Sequence, residues 1–264
     1  MTSPTHGHVN LLDLITKDLT LPDGCDRWAI RTVYPDMRSK HGYRWPFPGQ
    51  WAEAPGPLRT NNTDGCPDGV GDGICLAHTW RGMRSGGVPA ITLLLCAYTS
   101  ADVLGETTSE QKIRVRRAHV VDVVDGARLI REHGTRADLA GADLAGAYLA
   151  GAYLARAYLA GADLAGAYLA GAYLARAYLA GAYLARAYLA GAYLARADLA
   201  GADLARADLA GADLAGADLA GADLADADLA GADLRGAEYD RRTVWPGGLD
   251  PQARGAVLVG GAAR

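Results

Sequence analysis

Ala137-Asp-Leu-Ala-Gly141, Ala142-Asp-Leu-Ala-Gly146, Ala147-Tyr-Leu-Ala-Gly151 and Ala152-Tyr-Leu-Ala-Arg156 open a run that decides how the chain is read. The unit is Ala, then Asp or Tyr, then Leu and Ala, then Gly or Arg, and it continues without an insertion to Gly236. Leu occupies every fifth position from Leu139 to Leu234, which makes twenty units. An α-helix cannot bury all of these leucines. A step of five residues turns about 140° around a 3.6-residue helix, so they would scatter round the cylinder. The fourteen glycines at the fifth position would each cost such a helix about 1 kcal/mol relative to Ala. A straight strand fails as well, because an odd step sends successive leucines to opposite faces. What remains is a chain that turns once per unit in one sense, with every Leu aimed at a central axis. The Ala three residues after each Leu shares that interior, which has no room for a larger side chain.

Tandem Ala-Asp-Leu-Ala-Gly units resemble the pentapeptide repeat family, whose motif is Ala, Asp or Asn, Leu and two variable positions. The resemblance implies a mainly β fold for residues 137–236: a right-handed quadrilateral β-helix, a solenoid of four pentapeptides per coil. The twenty units then give five coils, about 24 Å long at the usual strand spacing. One departure from the motif stands out. Nine of the twenty Asp/Asn positions hold Tyr: Tyr148, Tyr153, Tyr158, Tyr168, Tyr173, Tyr178, Tyr183, Tyr188 and Tyr193. Burying a Leu contributes about 1.5–3 kcal/mol, whereas ordering backbone costs about 1–2 kcal/mol per residue. Leucine burial alone therefore cannot hold a coil, and backbone hydrogen bonds and capped ends are required.

Folded at a period of twenty, the surface positions fall into rows. Tyr148, Tyr168 and Tyr188 form one row, and Tyr153, Tyr173 and Tyr193 the next. Arg136, Arg156, Arg176 and Arg196 share a register, as do Arg186, Arg206 and Asp226. Each of these arginines precedes a Tyr or Asp by two residues, a spacing that predicts cation–π contacts or ion pairs in extended chain. Charge is also graded. Residues 137–196 hold three Asp and four Arg, net +1, whereas residues 197–234 hold nine Asp and one Arg, net −8.

Three readings of this surface follow. Its side chains are solvated positions on a rigid β-helix scaffold or protein-interaction surface; this is the main reading, with an N-terminal head attached. Alternatively, the acidic end is a DNA mimic. Some pentapeptide repeat proteins protect DNA gyrase from quinolones, or inhibit it, by presenting carboxylates shaped like duplex phosphate. Here Asp198, Asp203, Asp208, Asp213, Asp218, Asp223, Asp228 and Asp233 would take that part, with a basic DNA-binding saddle as partner. Third, the Tyr rows with Arg156, Arg176 and Arg196 offer an aromatic and basic ladder for nucleic acid, which the acidic balance disfavours.

Beyond Gly236 the pattern breaks. Tyr239 keeps Leu register, and Tyr-Asp-x-x-Thr-x-Trp-Pro resembles endings common among these proteins. Tyr239, Trp245 and Pro246 are read as a C-terminal cap, Pro246 stopping further strand addition, and residues 255–264 as a loosely docked tail. The chain is thus divided into 1–136, a small α+β domain; 137–236, the repeat; and 237–264, cap and tail. In the head, strands are predicted at 28–34, 73–78, 91–98 and 113–124, then a helix at 126–133. Residues 44–51, Arg-Trp-Pro-Phe-Pro-Gly-Gln-Trp, read as a corner or pocket wall. This head vaguely resembles uncharacterised domains that precede pentapeptide repeats in actinobacteria and their phages.

The head's chemical signals are weak. Cys75 and His78 have Cys-x-x-His spacing with Cys66 nearby, but a second tight pair of zinc ligands is missing. Asp64, Asp68 and Asp72 depart from the calcium-loop pattern. No nucleophile, base and orienter set emerges, so neither enzyme nor cofactor nor metal is expected. A residual enzyme or ligand-binding activity would rest on His41, Arg44 and His78.

The 264 residues are 50% apolar, with 26 basic and 30 acidic side chains, net −4. That balance does not invite DNA or anionic membrane. The longest apolar run, 88–98, is far short of the roughly 20 residues of a membrane helix. Asp13, Lys17 and Asp18 stand where a signal peptide would be apolar. A cytoplasmic protein is expected, with Cys25, Cys66, Cys75 and Cys96 reduced.

Overall fold

The computed structural model describes residues 9–38, 43–54, 74–78, 92–104 and 112–260. The chain divides into two compact units, Asn10–Gly126 and a second made of Met1–Val9 with Ala127–Arg264.

The first unit holds helix α1 (Leu11–Thr16) and six strands: β1 (Arg27–Thr32), β2 (Trp51–Glu53), β3 (Ile74–Ala77), β4 (Thr92–Tyr98), β5 (Lys112–Val115) and β6 (Arg117–Asp125). The Asn10 side chain caps α1 by accepting from the Leu12 N–H. The strands form one open sheet in the order β2-β6-β4-β1-β3-β5, every neighbouring pair antiparallel. In β4 all residues but Thr92 are buried, the pattern of a strand covered on both faces. One face carries a core of Ala29, Leu76, Leu94, Cys96, Val115 and Val120. Trp45 is buried in that core, so the aromatic stretch around it serves packing, while Phe47 is exposed.

Three expectations are corrected here. The single strand foreseen at 113–124 is two, because Arg116 interrupts it and β5 and β6 lie toward opposite ends of the sheet. Helix α1 and edge strand β2 were not foreseen. Cys75 is disulfide-bonded, so it is neither a reduced thiol nor available to zinc, while Cys25 and Cys96 are free. Cys66, His41, Asp64, Asp68 and Asp72 lie outside the described residues. Among the described residues no cluster suits a metal ion, and no helix is long and apolar enough to cross a membrane.

In the second unit, helix α2 (Gly126–His133) leads into the repeat. There the chain meets itself every twenty residues through parallel bridges, in four columns that begin at Asp138, Asp143, Tyr148 and Tyr153. Each unit uses its backbone the same way. The Leu139 N–H donates to Tyr158 O at 2.8 Å and Gly141 N–H to Ala160 O at 2.9 Å, while Tyr158 N–H donates back to Ala137 O at 2.9 Å. A fourth bond, Ala142 N–H to Leu139 O at 3.0 Å, closes the turn. All twenty leucines are buried, with the Ala residues that open the units.

The bridges are isolated, and this corrects the expected fold. One residue per unit has bridging geometry. The remainder form a turn that ends in a left-handed residue, with φ between 57° and 69° at every fifth position. That turn stops each stretch before a strand can grow. Among the described residues the only sheets are the open six-stranded one and a parallel pair, β7 (Glu238–Tyr239) with β8 (Val257–Leu258). No sheet closes or curls into a right-handed quadrilateral β-helix, so the repeat is a stack of turns joined by single bridges. The reading of the protein as a rigid β-helix scaffold falls with the solenoid.

Both ends of the stack are covered by irregular chain. At the start, Val9 bridges Ala137 and its N–H donates to Arg136 O. At the end the pairing slips by one residue: Asp223 bridges Val244, twenty-one positions on. Asp240 and the Thr243 hydroxyl both accept from Gly221 N–H there. Arg254 donates to the carbonyls of Leu229 and Ala232 at 3.2 and 2.9 Å; the Ala232 carbonyl is the one that a further tier would otherwise have bonded. Residues 255–260, expected to be a loose tail, instead add β8 alongside β7.

Left-handed backbone costs a residue with a Cβ about 1–2 kcal/mol. An added Cβ at Gly191 would meet no atom, so Gly191→Ala isolates that cost, and chemical denaturation should show a loss of about 1 kcal/mol or more. Arg186, at φ 58°, gives the converse: Arg186→Gly should stabilise, by about 0.5–1 kcal/mol once glycine's extra unfolded-state freedom is subtracted.

Candidate protein-binding surface

The central residue of each unit is the main variable on the surface, and its chemistry follows from one leftover hydrogen bond. The four backbone bonds above leave the N–H of the Ala after Leu without a partner. In every Asp unit the carboxylate two residues back accepts it: Asp138 from Ala140 N–H at 3.3 Å, Asp208 from Ala210 N–H at 3.1 Å, Asp228 from Ala230 N–H at 2.9 Å. The same bond is made by Asp198, Asp203, Asp213, Asp218, Asp223 and Asp233. Oδ1 is thereby fixed, which holds the whole carboxylate in one orientation.

A Tyr cannot make that bond. In its units the Ala N–H has no such side-chain acceptor, and every ring but that of Tyr183, which stands between Asp163 and Asp203, stacks on a ring one tier away. Tyr148 lies over Tyr168 at 4.7 Å between centroids and Tyr168 over Tyr188 at 4.8 Å, with planes within 7°. The Tyr153, Tyr173 and Tyr193 rings stack at 5.3 and 5.0 Å, and Tyr158 and Tyr178 at 4.4 Å. These spacings follow the tier rise and leave no gap for a nucleic-acid base, so inner rings offer only their edges.

The arginines behave otherwise than their sequence spacing predicts. Arg136, Arg156, Arg176 and Arg196 are exposed at left-handed positions. Among the described residues they form neither the expected cation–π contacts nor ion pairs. The backbone is not extended at those residues, so the i and i+2 side chains do not share a direction. In the other row Arg206 pairs with Asp226, one tier on, at 3.7 Å. Arg186, Arg206, Asp226 and small residues such as Ala165 and Gly166 line an open groove of about 660 Å³.

At the cap, Trp245 packs edge-to-face on Tyr239, with centroids 5.4 Å apart, and Pro246 lines an open groove together with Leu229 and Leu249. Asp233 is held by Arg235, whose Nε donates to both carboxylate oxygens at 2.9 and 3.0 Å. That bond, helped by the Arg235 backbone N–H, lowers the carboxyl's pKa to about 2. Sequence reasoning missed this clamp, although Asp233 and Arg235 stand two apart. In the first unit, His78 Nε2 lies 2.7 Å from the Tyr98 hydroxyl. Burial, then Arg27, depresses the imidazole pKa. Burial pushes the Cys96 thiol up to about 12, too high for a thiolate nucleophile at neutral pH. Arg44 bridges Arg38 through its backbone and joins no such group.

Fold and surface define a tandem five-residue repeat protein with an aromatic, weakly basic half and an acidic half. Residues 137–174, 172–209 and 202–238 match pentapeptide repeats, in eight copies. The chain belongs to the pentapeptide repeat family through this region, and the family is generally non-catalytic. No curated protein matches the chain. Among solved structures it is similar to Rfr23, a pentapeptide repeat protein from the cyanobacterium Cyanothece 51142, at 39% identity over 36% of this chain and 64% of that one, TM-score 0.35. It is also similar to alr5209, a pentapeptide repeat protein from Nostoc Pcc 7120, at 40% identity over 36% of this chain and 84% of that one, TM-score 0.22. A third is QnrB1, a plasmid-mediated fluoroquinolone resistance protein, at 22% identity over 46% of this chain and 77% of that one, TM-score 0.19. Three of the matched structures, Rfr23 included, are covered over only 59–66% of their own length.

Asp208→Asn keeps the Oδ1 acceptor and Asp208→Ala removes it. Denaturation should therefore find the Ala variant less stable than the Asn variant by about 1 kcal/mol. For Asp233, a carboxyl NMR titration should give a midpoint near 2, returning toward the ordinary 3.9 or so in Arg235→Gln. Because the folded pKa is the lower one, the clamp's stabilisation is present above about 3.9 and lost as pH falls through about 2.

Proposed function

We propose that the acidic half of the stack binds a basic, duplex-binding protein surface, and that the partner is DNA gyrase or a related topoisomerase. Charge density carries this reading. Residues 197–234 hold nine Asp and one Arg, net −8, within two tiers that rise about 10 Å. That is one negative charge per ~1.2 Å of axis, comparable to the ~1.7 Å of duplex DNA. The carboxylates are also pre-ordered. With Oδ1 fixed by the backbone, Asp198, Asp203, Asp208, Asp213, Asp218, Asp223 and Asp228 do not lose rotamer freedom on binding. Four columns present them on all sides, so a saddle that closes round a duplex meets carboxylates wherever it would meet phosphates.

Purified gyrase should lose supercoiling activity, or gain protection from a quinolone, as the protein is added. Changing Asp198, Asp203, Asp208, Asp213, Asp218, Asp223, Asp228 and Asp233 together to Asn keeps the backbone acceptor, and should weaken the effect at least tenfold. Raising salt should weaken it in the same direction. A wild-type protein without effect at large excess over gyrase would sink the proposal.

A further inference from the structure

Down the column that begins at Tyr148, each tier shares three backbone bonds with the next. Leu209 N–H donates to Asp228 O and Gly211 N–H to Ala230 O, both at 2.8 Å, while Asp228 N–H donates back to Ala207 O at 2.9 Å. One tier on, the equivalent groups are Leu229 N–H, Gly231 N–H and Ala227 O. Among the described residues none of the three has a hydrogen-bond partner. The other columns are continued. Glu238 and then Val257 follow Asp218, Val244 follows Asp223, and beside Asp233 the Gly236 N–H reaches Gly255 O. The cap chain passes over the open position but spends its bonds on itself: Leu249 N–H donates to Pro246 O and Arg254 N–H to Pro251 O. Asp228 and Ala230 are accordingly exposed, whereas Asp208 and Ala210 are half-buried. Between this last tier and the cap lies an open groove of about 420 Å³, walled by Ala227, Leu229, Pro246, Leu249 and Arg254. That size falls within the roughly 300–1,000 Å³ of ligand clefts. Unmet N–H and C=O groups at strand spacing are a template for another chain.

We propose that this end of the stack takes an extended segment of a partner protein as one further tier of that column, held by main-chain pairing. The register of the repeat fixes what the segment carries. Its first residue gives a C=O to Leu229 N–H and an N–H to Ala227 O, and stands outward over Asp228. Its second points inward onto Leu229 and the groove wall at Leu249, so it is apolar, and Leu fits there as in every tier below. Its third gives a C=O to Gly231 N–H, at a place that the repeat fills with Ala. Asp228 is exposed, has Asp208 beneath it, and forms no ion pair among the described residues. A third like charge in that column would repel, whereas an opposite one stabilises, so the first residue is Lys or Arg. The occupant is therefore a basic residue, Leu and a small residue in extended chain. Three residues bury far less than the roughly 1,200–2,000 Å² of a standard stable interface, which makes the contact weak and reversible. Only one of the eight carboxylates invoked for gyrase takes part, so the two proposals stand or fall separately.

The probe is the peptide acetyl-Gly-Lys-Leu-Ala-Gly-amide with a fluorophore, titrated with the full chain and read by anisotropy. Binding should saturate. N-methylation at Lys removes the donor to Ala227 O and leaves the protein untouched, and it should weaken binding at least tenfold, as should Asp in place of the peptide's Leu. Glu in place of its Lys should weaken binding at least fivefold in low salt and less in high salt. Asp228→Asn keeps the acceptor for Ala230 N–H, and should abolish the preference for Lys over Glu. Amide hydrogen exchange reads the same site from the protein's side. Leu229 and Gly231 should exchange faster than Leu209 and Gly211 in the free chain, and slow at least tenfold with saturating peptide. The proposal is overturned by a peptide that shows no saturable binding up to millimolar concentration, or by an N-methylated peptide that binds as well as the parent. It is equally overturned if Leu229 and Gly231 are already protected in a chain that sediments as a dimer, because a second copy then covers this end.

Discussion

Five backbone N–H groups per unit, with a left-handed residue closing each unit, is the constraint on which the repeat depends. The turn that aims Leu inward also forbids a strand, so the hydrogen bonds that a sheet would supply in runs come one bridge at a time. Three per unit go to neighbouring tiers and one closes the turn. The fifth falls to the side chain at the central position. Asp answers it, and the surface chemistry of the acidic half is a by-product of backbone satisfaction. Tyr does not answer it. Those units forgo that bond, and wherever a column holds Tyr in adjacent tiers they gain a stacked ring instead, an interaction that rises with the number of tyrosines in the column. The aromatic and acidic halves are thus two solutions to the same local deficit.

The ends show the same constraint. A tier with no neighbour has carbonyls and N–H groups that nothing in the repeat can pair. At the start Val9 adds a bridge to Ala137. At the far end the Arg254 guanidinium group reaches carbonyls of the last tier, while Asp240 and Thr243 accept from Gly221. Charged side chains do here what more repeats would otherwise do, and a slip of one residue at Val244 ends the pattern.

What could be read from sequence divides along the same line. Leu at a step of five excludes helix and strand by geometry alone. A period of five does not say how many units pass before the chain meets itself; the twenty-residue distance came with the family resemblance, and so did the solenoid that the isolated bridges correct. The row of arginines was legible, but their left-handed backbone was not. The cation–π contacts inferred from extended chain failed for that reason. Helix α2, in the second unit, falls at its foreseen bounds, whereas in the first unit α1 has six residues and β2 three, too short for any periodicity to register. The partition of 112–125 between two ends of one sheet depends on Arg116 and on long-range pairing. The Asp233–Arg235 clamp was present as a spacing of two, but the carboxylate had been given a partner outside the molecule.

The twenty-residue return distance has a consequence for how such a gene can change. A duplication or loss of four units shifts every later residue by one tier and leaves each column intact, so the molecule grows or shortens with its faces preserved. A gain or loss of one unit moves every later residue a quarter-turn round the axis. Tyr would then stand over Asp, and the arginine file would break across two corners. Copy-number drift in units of four is therefore a change of reach, and drift in units of one is a change of identity.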